Sequence, residues 1–441
     1  MTTLFTNAWL LTMDPAMTEQ RSGWLQVDGT TITALGFGTP PAIPGAEIVD
    51  CGGDIVMPGM VNTHGHMAMS VFRGLAEDID DRLYRYILPL ERKFVTPELV
   101  RVGSTLSALE MIQGGVTTAT DMYYYESEVG RVVAQAGLRA IVGQTLADFN
   151  APDHKTFDEG FALVEQLADE FADHPLITAS IAPHAPYSTG LKMMGRIARW
   201  SDDHPGVLVQ IHLAESDLEV KWARDTHGES SVEVVRQSGL LKPGLVGAHC
   251  LHLSDADIEA MAAADVRVAT NPRSNGKAGR GIARVEALRA AGIPVGIGTD
   301  GPMSGNTLDL FSQLAPLSMF AKLRGKSRLP LAAATVIRMA TIEGAKVLGL
   351  DHKIGSLEVG KDADVIRISL DAPRLHPIYE AYSALVFAAM PTDITDVMVA
   401  GKWLLRDRQA LTIDPRKAVR DAIQIATQFK AEMTRIDEVP R

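Results

Sequence analysis

The chain has 441 residues, of which 46% are hydrophobic and 22% are charged, so it is globular and long enough for more than one domain. Its net charge of −12 argues against nucleic acid or an anionic membrane as a partner. The two cysteines, Cys51 and Cys250, are far apart in the sequence, which excludes a cysteine-based zinc site and suits a reducing cytoplasm. No basic stretch precedes Asp14, and no apolar run approaches the roughly 20 residues of a membrane helix, so we expect a cytoplasmic protein.

Both ends of the chain have the pattern of short strands joined by turns. In residues 1–54, Asp28-Gly29 lies between two β-rich runs and is typical of a two-residue hairpin turn. Residues 355–412 repeat the pattern, with Gly-Lys pairs at 360–361 and 401–402. Neither flank contains enough apolar residues for a core of its own. We therefore predict that the two flanks together form one small β-sandwich.

Residues 55–354 alternate short apolar runs with amphipathic stretches, four of which have helical periodicity: 99–112, 157–171, 232–239 and 285–291. Repeated strand–helix units imply parallel strands, and eight of them match an α/β fold of the (β/α)8 TIM-barrel type, inserted in the sandwich. An open doubly wound sheet is the alternative, but no Gly-rich phosphate loop follows the first run. Residues 413–441 are predicted to be a C-terminal helical extension, with its helix at 414–436. The predicted barrel strands are 55–62, 115–122, 138–146, 176–183, 207–213, 245–251, 266–271 and 294–299.

The first predicted barrel strand ends in two histidines separated by one residue. In a strand, side chains i and i+2 point to the same face, so His64 and His66 face the same way with Gly65 between them. Zinc and related metals favour imidazole nitrogen as a ligand. Two ordinary polar loop histidines would give the same pattern, so this pair alone does not establish a metal site.

Catalytic residues of such barrels lie at the C-terminal ends of the strands. The later predicted strands also carry polar residues at or near these ends. His184 ends the fourth strand, His212 and Glu215 end the fifth, His249 lies in the sixth and Asp300 ends the eighth. Three of them have a structural alternative: His184 and Glu215 as loop residues, and Asp300 as the turn residue before a glycine. Five of the twelve histidines nevertheless fall at one face of the barrel. His252 is read as structural, and the others are scattered: His154, His174, His204, His227, His352 and His376.

Three imidazoles and one carboxylate at the barrel mouth make a metal site, formed by His64, His66, His212 and Asp300. A catalytic metal keeps one position open for water and lowers the pKa of that water. Asp300 is placed to take the water's proton, while Glu215 is placed to reach a substrate atom on the far side. This arrangement separates base from acid, as addition and elimination at an unsaturated carbon require. It leaves His249 to form a hydrogen bond with the attacking oxygen.

The same motifs resemble those of the amidohydrolase superfamily, and the resemblance covers nearly the whole chain. The string from Met57 to His66 is similar to the opening signature of that superfamily, as are the strands around His212, His249 and Asp300. Within it, the chain looks most like the deaminases of 5-methylthioadenosine and S-adenosylhomocysteine, near the chlorohydrolase and guanine deaminase branches. Three further segments are similar to that subgroup: 69–78, 88–91 and 121–124.

The resemblance implies one bound zinc, held by His64, His66, His212 and Asp300, with iron or manganese as alternatives. It implies that Glu215 and Asp300 move protons, that His249 assists the attack, and that Glu91 and His184 contact substrate, with Glu91 on the ribose hydroxyls. Binuclear members commonly carry a carboxylated lysine at the fourth strand, and residues 176–184 contain no lysine. The expected partner is a small-molecule substrate, with no nucleic acid or membrane, and a homo-oligomer stays open.

Three segments at the barrel rim depart from the subgroup: 270–272, 274–278 and 303–306. The loop after the third strand also has no convincing arginine for a substrate carboxylate. The resemblance implies deamination of a 5′-modified adenosine, and the missing arginine favours methylthioadenosine over S-adenosylhomocysteine. The alternatives are a related hydrolase acting on guanine, a pterin or an s-triazine, and a scaffold protein without enzymatic activity.

Overall fold

The computed structural model describes residues 2–438, and the middle of the chain forms an eight-stranded parallel sheet in which consecutive strands are neighbours. The eighth strand returns beside the first: the Thr63 amide donates to the Ile297 carbonyl at 3.0 Å, and the Thr299 amide donates to the His64 carbonyl at 3.0 Å. The predicted barrel is therefore confirmed. Its strands are Met60–Asn62, Val116–Tyr123, Arg139–Leu146, Ile177–Pro183, Val209–Leu213, Leu245–His249, Arg267–Thr270 and Val295–Ile297.

Helices alternate with the barrel strands, as the periodicity predicts. The helix predicted at 157–171 is Phe157–Phe171, and a capping box between Thr156 and Glu159 fixes its start. Within residues 2–438, no helix is long and apolar enough to span a membrane. The α-helices are Leu88–Phe94, Pro97–Gln113, Glu126–Ala136, Phe157–Phe171, Pro186–Thr189, Leu191–Asp203, Asp217–His227, Ser231–Gln237, Asp255–Ala263, Pro272–Lys277, Val285–Ala290, Pro302–Gly305, Phe311–Gly325, Ala333–Met339, Ile342–Val347, Ala381–Phe387 and Pro415–Glu438. Met67–Phe72, Pro373–Leu375 and Pro391–Asp393 are 3-10 helices, and Leu83–Ile87 is a π-helix.

The two ends of the chain form one mixed sheet of nine strands, which confirms that β structure from both termini flanks the barrel. Ile55–Pro58 joins the two halves, because it pairs in parallel with the N-terminal strand and antiparallel with Val365–Ile368. The Asp28-Gly29 hairpin is present, with Asp28 opposite Thr31. The strands are Thr2–Leu11, Glu19–Asp28, Thr31–Phe37, Glu47–Asp50, Ile55–Pro58, Val365–Ile368, Ile394–Val399, Lys402–Arg406 and Gln409–Ala410. The domain boundaries at 54/55, 354/355 and 412/413 stay predictions, and residues 1 and 439–441 lie outside the described part.

Two expectations about individual strands are wrong. The run at 55–62 is not one barrel strand: Ile55–Pro58 belongs to the terminal sheet, and only Met60–Asn62 enters the barrel. Gly59 makes the break, since a Cβ there would lie 2.1 Å from the Thr117 side chain and its amide donates to the Asp364 carbonyl. The Gly-Lys pair at 360–361 makes no hairpin, because its backbone bonds to Ile32 instead.

The C-terminal helix, Pro415–Glu438, packs on the helices that follow the first barrel strand. Phe429 is its main anchor: the side chain is 1% exposed, and its ring stacks on Phe72 with centroids 4.8 Å apart and meets Phe94 edge-on at 5.5 Å. Near the helix end, the Tyr86 hydroxyl donates to the Asp437 carboxylate at 2.6 Å. The helix therefore packs against the segment from Leu83 to Phe94, which approaches the barrel mouth.

We expect Phe429→Ala to lower the free energy of unfolding by about 3–5 kcal/mol, because it removes a buried aromatic ring and leaves a cavity between two others. The measurement is urea unfolding followed by circular dichroism. Ile423→Ala on the same helix is the matched control, since Ile423 is 62% exposed and its truncation is expected to cost under about 0.5 kcal/mol. Equal effects of the two substitutions would contradict the packing role of Phe429.

Candidate functional site

The residues that follow the first barrel strand are tied to the end of the eighth. The Asn62 amide nitrogen donates to Thr299 Oγ1 at 2.8 Å, and its Oδ1 accepts from the Thr299 amide at 3.1 Å. In the next residue, Asp300 Oδ1 lies 3.3 Å from His66 Nε2 and 3.9 Å from His64 Nε2. Barrel closure thus brings together three of the predicted ligands at the C-terminal ends of the strands.

The fifth strand adds His212 to this group. Its Nδ1 lies 2.7 Å from the His184 carbonyl oxygen, and its Nε2 lies 3.3 Å from His66 Nε2. In the same way, His66 Nδ1 lies 2.6 Å from the Met122 carbonyl oxygen. A carbonyl only accepts, so each Nδ1 carries a proton and each Nε2 is the atom that faces the cluster. Burial lowers the pKa of His66, but Asp300 outweighs it and raises that pKa, which favours a second proton on His66 Nε2; a bound cation would take the place of that proton.

These Nε2 atoms suit a cation. The ligand atoms of His64, His66 and His212 lie within 4.8 Å of one another, and so do those of His64, His249 and Asp300. His64 Nε2 is buried without a hydrogen-bond partner, which is costly unless a cation occupies the space beside it. Burial lowers the pKa of His64 and of His212 well below the ordinary value, so both are neutral, as metal ligands must be. The donor set therefore fits a divalent metal ion.

Asp300 is held as a charged carboxylate in a left-handed backbone conformation, with φ of +60°. Its Oδ2 accepts from the Ser274 hydroxyl at 2.6 Å, and its Oδ1 accepts from the Gly301 amide at 2.6 Å. Burial alone would raise the pKa of Asp300, but His66 and the neighbouring His249 and His64 hold it well below its ordinary value. Asp300 is therefore an anion beside the histidine cluster.

Glu215, which is predicted to move protons, follows the fifth strand, and His249, which is predicted to assist the attack, ends the sixth. His249 Nδ1 lies 2.7 Å from Asn275 Oδ1, and its buried Nε2 is 3.6 Å from Glu215 Oε1. Burial lowers the pKa of His249, so its ring is neutral, with Nδ1–H donating to the Asn275 oxygen and Nε2 free to accept. The same Glu215 oxygen forms an ion pair with Arg280. Both contacts use Oε1, so neither of them engages the second carboxylate oxygen.

His184 lies beside His212, and Glu91 bonds to Tyr123, whose ring centroid is 6.5 Å from that of His66. The His184 ring is 4.9 Å from the His212 ring, and its Nδ1 is 2.7 Å from Ser188 Oγ. Burial, together with the nearby His66, lowers the pKa of His184 to about 4, so the His184 ring is neutral. Glu91 is 5% exposed and accepts from the Tyr123 hydroxyl at 2.5 Å. Burial raises the pKa of Glu91 to about 7, despite that hydrogen bond.

Sequence reasoning missed the residues that hold this cluster in place. Ser274 and Asn275 belong to a rim segment that was noted for its departures, yet these two residues position Asp300 and His249. The departure at Gly276 has a steric reason, because a Cβ there would lie 2.9 Å from the Phe320 ring. Arg280 and Tyr123 were also missed. An arginine in a loop or a tyrosine at the end of a strand has no spacing that marks it, so only the fold reveals these two contacts.

Comparisons with known proteins agree with this geometry. Residues 55–404 match the model of the amidohydrolase family. The chain is 36% identical over 435 residues to 5-methylthioadenosine/S-adenosylhomocysteine deaminase 1 of Syntrophus aciditrophicus, covering 98% of both chains. It is 35% identical to 5′-deoxyadenosine deaminase of Methanosarcina barkeri, covering 96% of this chain and 97% of that one.

Among solved structures, an adenosine deaminase from Xanthomonas campestris with bound zinc superimposes with a TM-score of 0.92 at 32% identity. The superposition covers 97% of this chain and 98% of that one. The family match and the full-length relatives confirm the resemblance found in the sequence motifs. Because the family model matches most of its length and its relatives are covered almost completely, the chain belongs to the amidohydrolase family.

Proposed function

We propose that this protein is a metal-dependent hydrolytic deaminase of a 5′-modified adenine nucleoside. The substrate would be 5-methylthioadenosine or S-adenosylhomocysteine, and the products the inosyl compound and ammonia. The observation that carries the proposal is the cluster of His64, His66 and His212, whose ligand nitrogens lie within 4.8 Å of one another. The buried Asp300 lies 3.3 Å from His66 Nε2 and 3.9 Å from His64 Nε2, and Glu215 and His249 lie next to the cluster. The names of the full-length relatives, which are deaminases of 5′-modified adenosines, support the same reaction.

In this proposal, one divalent ion is held by His64, His66, His212 and Asp300. Zinc is the default, and iron(II) or manganese(II) would suit the same ligands. When bound, the ion would act as a Lewis acid that lowers the pKa of water in the site. The carbonyl oxygens of His184 and Met122, which accept from the ligand Nδ1 atoms, would keep the lone pairs aimed at the ion.

The reaction adds water to C6 of the purine and expels the amino group. Asp300 accepts the proton that the water loses, and neutral His249 accepts a hydrogen bond from that water through Nε2. Glu215 gives a proton to N1, which lets the ring accept the added oxygen. Asp300 then passes its proton to the amino group, and the C6–N bond breaks to release ammonia. As C6 becomes a carbonyl, the hydroxyl proton returns to Glu215, so the protons balance.

Glu91 and His184 would contact the substrate on the two sides of the reacting ring. A carboxylate accepts two hydrogen bonds at once, which suits the adjacent hydroxyls of a ribose. The stretch 143–148 contains no arginine for a substrate carboxylate, so a neutral 5′ substituent such as methylthio is favoured. The homo-oligomer and the cytoplasmic location also remain predictions.

We expect Glu91→Ala to lower kcat/KM for methylthioadenosine by about 100-fold, since it removes two hydrogen bonds to a charged acceptor. Activity on free adenine, however slow, should not fall, because a bare base has no ribose hydroxyls. The measurement is ammonia release with each substrate. Free adenine is thus the internal control substrate. Full activity of the variant on the best nucleoside would contradict the nucleoside pocket and favour an enzyme of guanine, a pterin or an s-triazine.

The same carboxylate predicts a pH dependence. Because the pKa of Glu91 is raised to about 7, the carboxylate takes up a proton as the pH falls through that value and then loses one acceptor. We expect KM for the nucleoside to be lowest above pH 7 and to rise by up to tenfold per pH unit below about pH 7. The measurement is KM between about pH 8 and about pH 6. If Glu91→Gln shows the same rise, the dependence does not come from Glu91.

A further inference from the structure

A second glutamate, Glu219, lies behind the proposed proton carrier. It is in the first turn of the helix Asp217–His227 and is 0% exposed. Its Oε1 accepts from the Ala214 amide at 2.8 Å, and its Oε2 accepts from the Glu215 amide at 3.0 Å. Both oxygens therefore bind the backbone that carries Glu215. The proposed reaction does not use this group.

The backbone that Glu219 binds is in an unfavourable conformation. Ala214 has a φ of +50°, a left-handed value that costs a residue with a Cβ about 1 kcal/mol or more. On its other side, the Ala214 carbonyl accepts from the amides of Leu251 and His252, both at 3.0 Å. The peptide between Ala214 and Glu215 is thus held by Glu219 on one side and by the two amides that follow the sixth strand on the other. This bend aims Glu215 at His249.

Burial of Glu219 has an electrostatic cost. Desolvation raises its pKa to about 7, although the hydrogen bond from the Ala214 amide opposes this change. The chain also contains an exposed version of the same motif: Glu159 accepts from the amides of Lys155 at 2.7 Å and Thr156 at 3.2 Å at the start of another helix. Capping a helix therefore does not require a buried carboxylate. Burial at Glu219 follows from where the bend lies, at the mouth of the barrel.

We propose that Glu219 is a positioning residue that fixes the Ala214–Glu215 backbone, so that the Glu215 carboxylate reaches the reacting ring. The inference rests on the proposed function, because Glu215 has to carry the proton. A misplacement of about 1 Å in such a group can reduce the rate about 100-fold. Removing Glu219 should therefore reduce kcat much more than it changes KM.

The test compares Glu219→Ala and Glu219→Gln with Glu159→Gln as the matched control. All are loaded with zinc and checked for equal metal content. We expect kcat to fall about 100-fold in Glu219→Ala, with KM within about threefold. Glu219→Gln retains one acceptor oxygen and should fall about tenfold, while Glu159→Gln should keep the kcat of the wild type. In the Glu215→Gln background, Glu219→Ala should add less than about twofold, because the two act as one unit.

Wild-type kcat in both Glu219 variants would overturn the proposal, and so would a loss of the same size with and without Glu215. If Glu219→Ala fails to fold, the kcat of the isosteric variant Glu219→Gln tests the proposal instead. Inactivity of the wild-type protein on every nucleoside would refute the proposed function rather than this inference. Crystal structures of the two variants then give the answer: a displaced Glu215 carboxylate supports the positioning role, and an unmoved one refutes it.

Discussion

Glu215→Gln is expected to retain its metal ion and to lose at least about 1,000-fold in kcat. Glutamine has nearly the same shape but cannot give a proton to N1 or take one back, and general acid–base catalysis of this kind contributes about 10²–10⁴-fold. Glu215 lies 3.6 Å from His249 and is not among the metal-ligand groups, so metal content should not change. The measurements are kcat from ammonia release and metal content by elemental analysis.

Glu159→Gln controls for the general effect of such a substitution, because Glu159 is exposed and its carboxylate accepts from the backbone amides of Lys155 and Thr156. Normal turnover by Glu215→Gln would rule out Glu215 as the proton carrier. Loss of the metal together with the activity would move Glu215 from proton transfer to metal binding. Either result would require a different assignment of the acid.

His212→Ala is expected to abolish stoichiometric metal binding and to lower activity by at least about 1,000-fold. It removes one of the three histidines whose ligand nitrogens lie within 4.8 Å of one another, and the proposed ligand set would keep only two histidines and one carboxylate. Treatment of the wild type with a chelator should give the same loss, and added zinc should restore activity only in the wild type. The measurement is metal per chain after dialysis, followed by the rate of ammonia release.

His252→Ala is the matched control, since His252 lies near the same strand ends but contacts Asp217 at 3.8 Å and is outside the metal-ligand groups. It should keep one metal ion per chain. A full complement of metal in His212→Ala would contradict the assigned ligand set. Metal loss in His252→Ala would place the ion elsewhere in the mouth.

The barrel and the positions of its polar residues were predictable because both depend on local patterns. Strand–helix alternation predicts eight parallel strands, and the strand ends of a barrel meet at one face, which places His64, His212 and Asp300 together. The strand break inside residues 55–62 was also predictable, since Pro58 lacks an amide hydrogen and Gly59 follows it. A continuous apolar run obscured that signal.

The supporting contacts were not predictable, because they join residues that only the closed barrel brings close. Ser274 reaches Asp300 across 26 residues, and Asn275 reaches His249 across 26 residues. Serine and asparagine are common in loops, so neither residue type nor spacing distinguishes these two from others. The contacts of Glu219 were not predictable either, because a glutamate in the first turn of a helix is usually part of an ordinary helix cap.

The most direct test of the central claim is ammonia release by purified, zinc-loaded protein on a panel of substrates. The panel contains 5-methylthioadenosine, S-adenosylhomocysteine, adenosine, 5′-deoxyadenosine, adenine, guanine and a pterin. We predict that a 5′-modified adenosine is deaminated fastest and that methylthioadenosine exceeds S-adenosylhomocysteine. Turnover of the bare bases alone would contradict the nucleoside assignment, and no ammonia from any member would contradict the deaminase assignment itself.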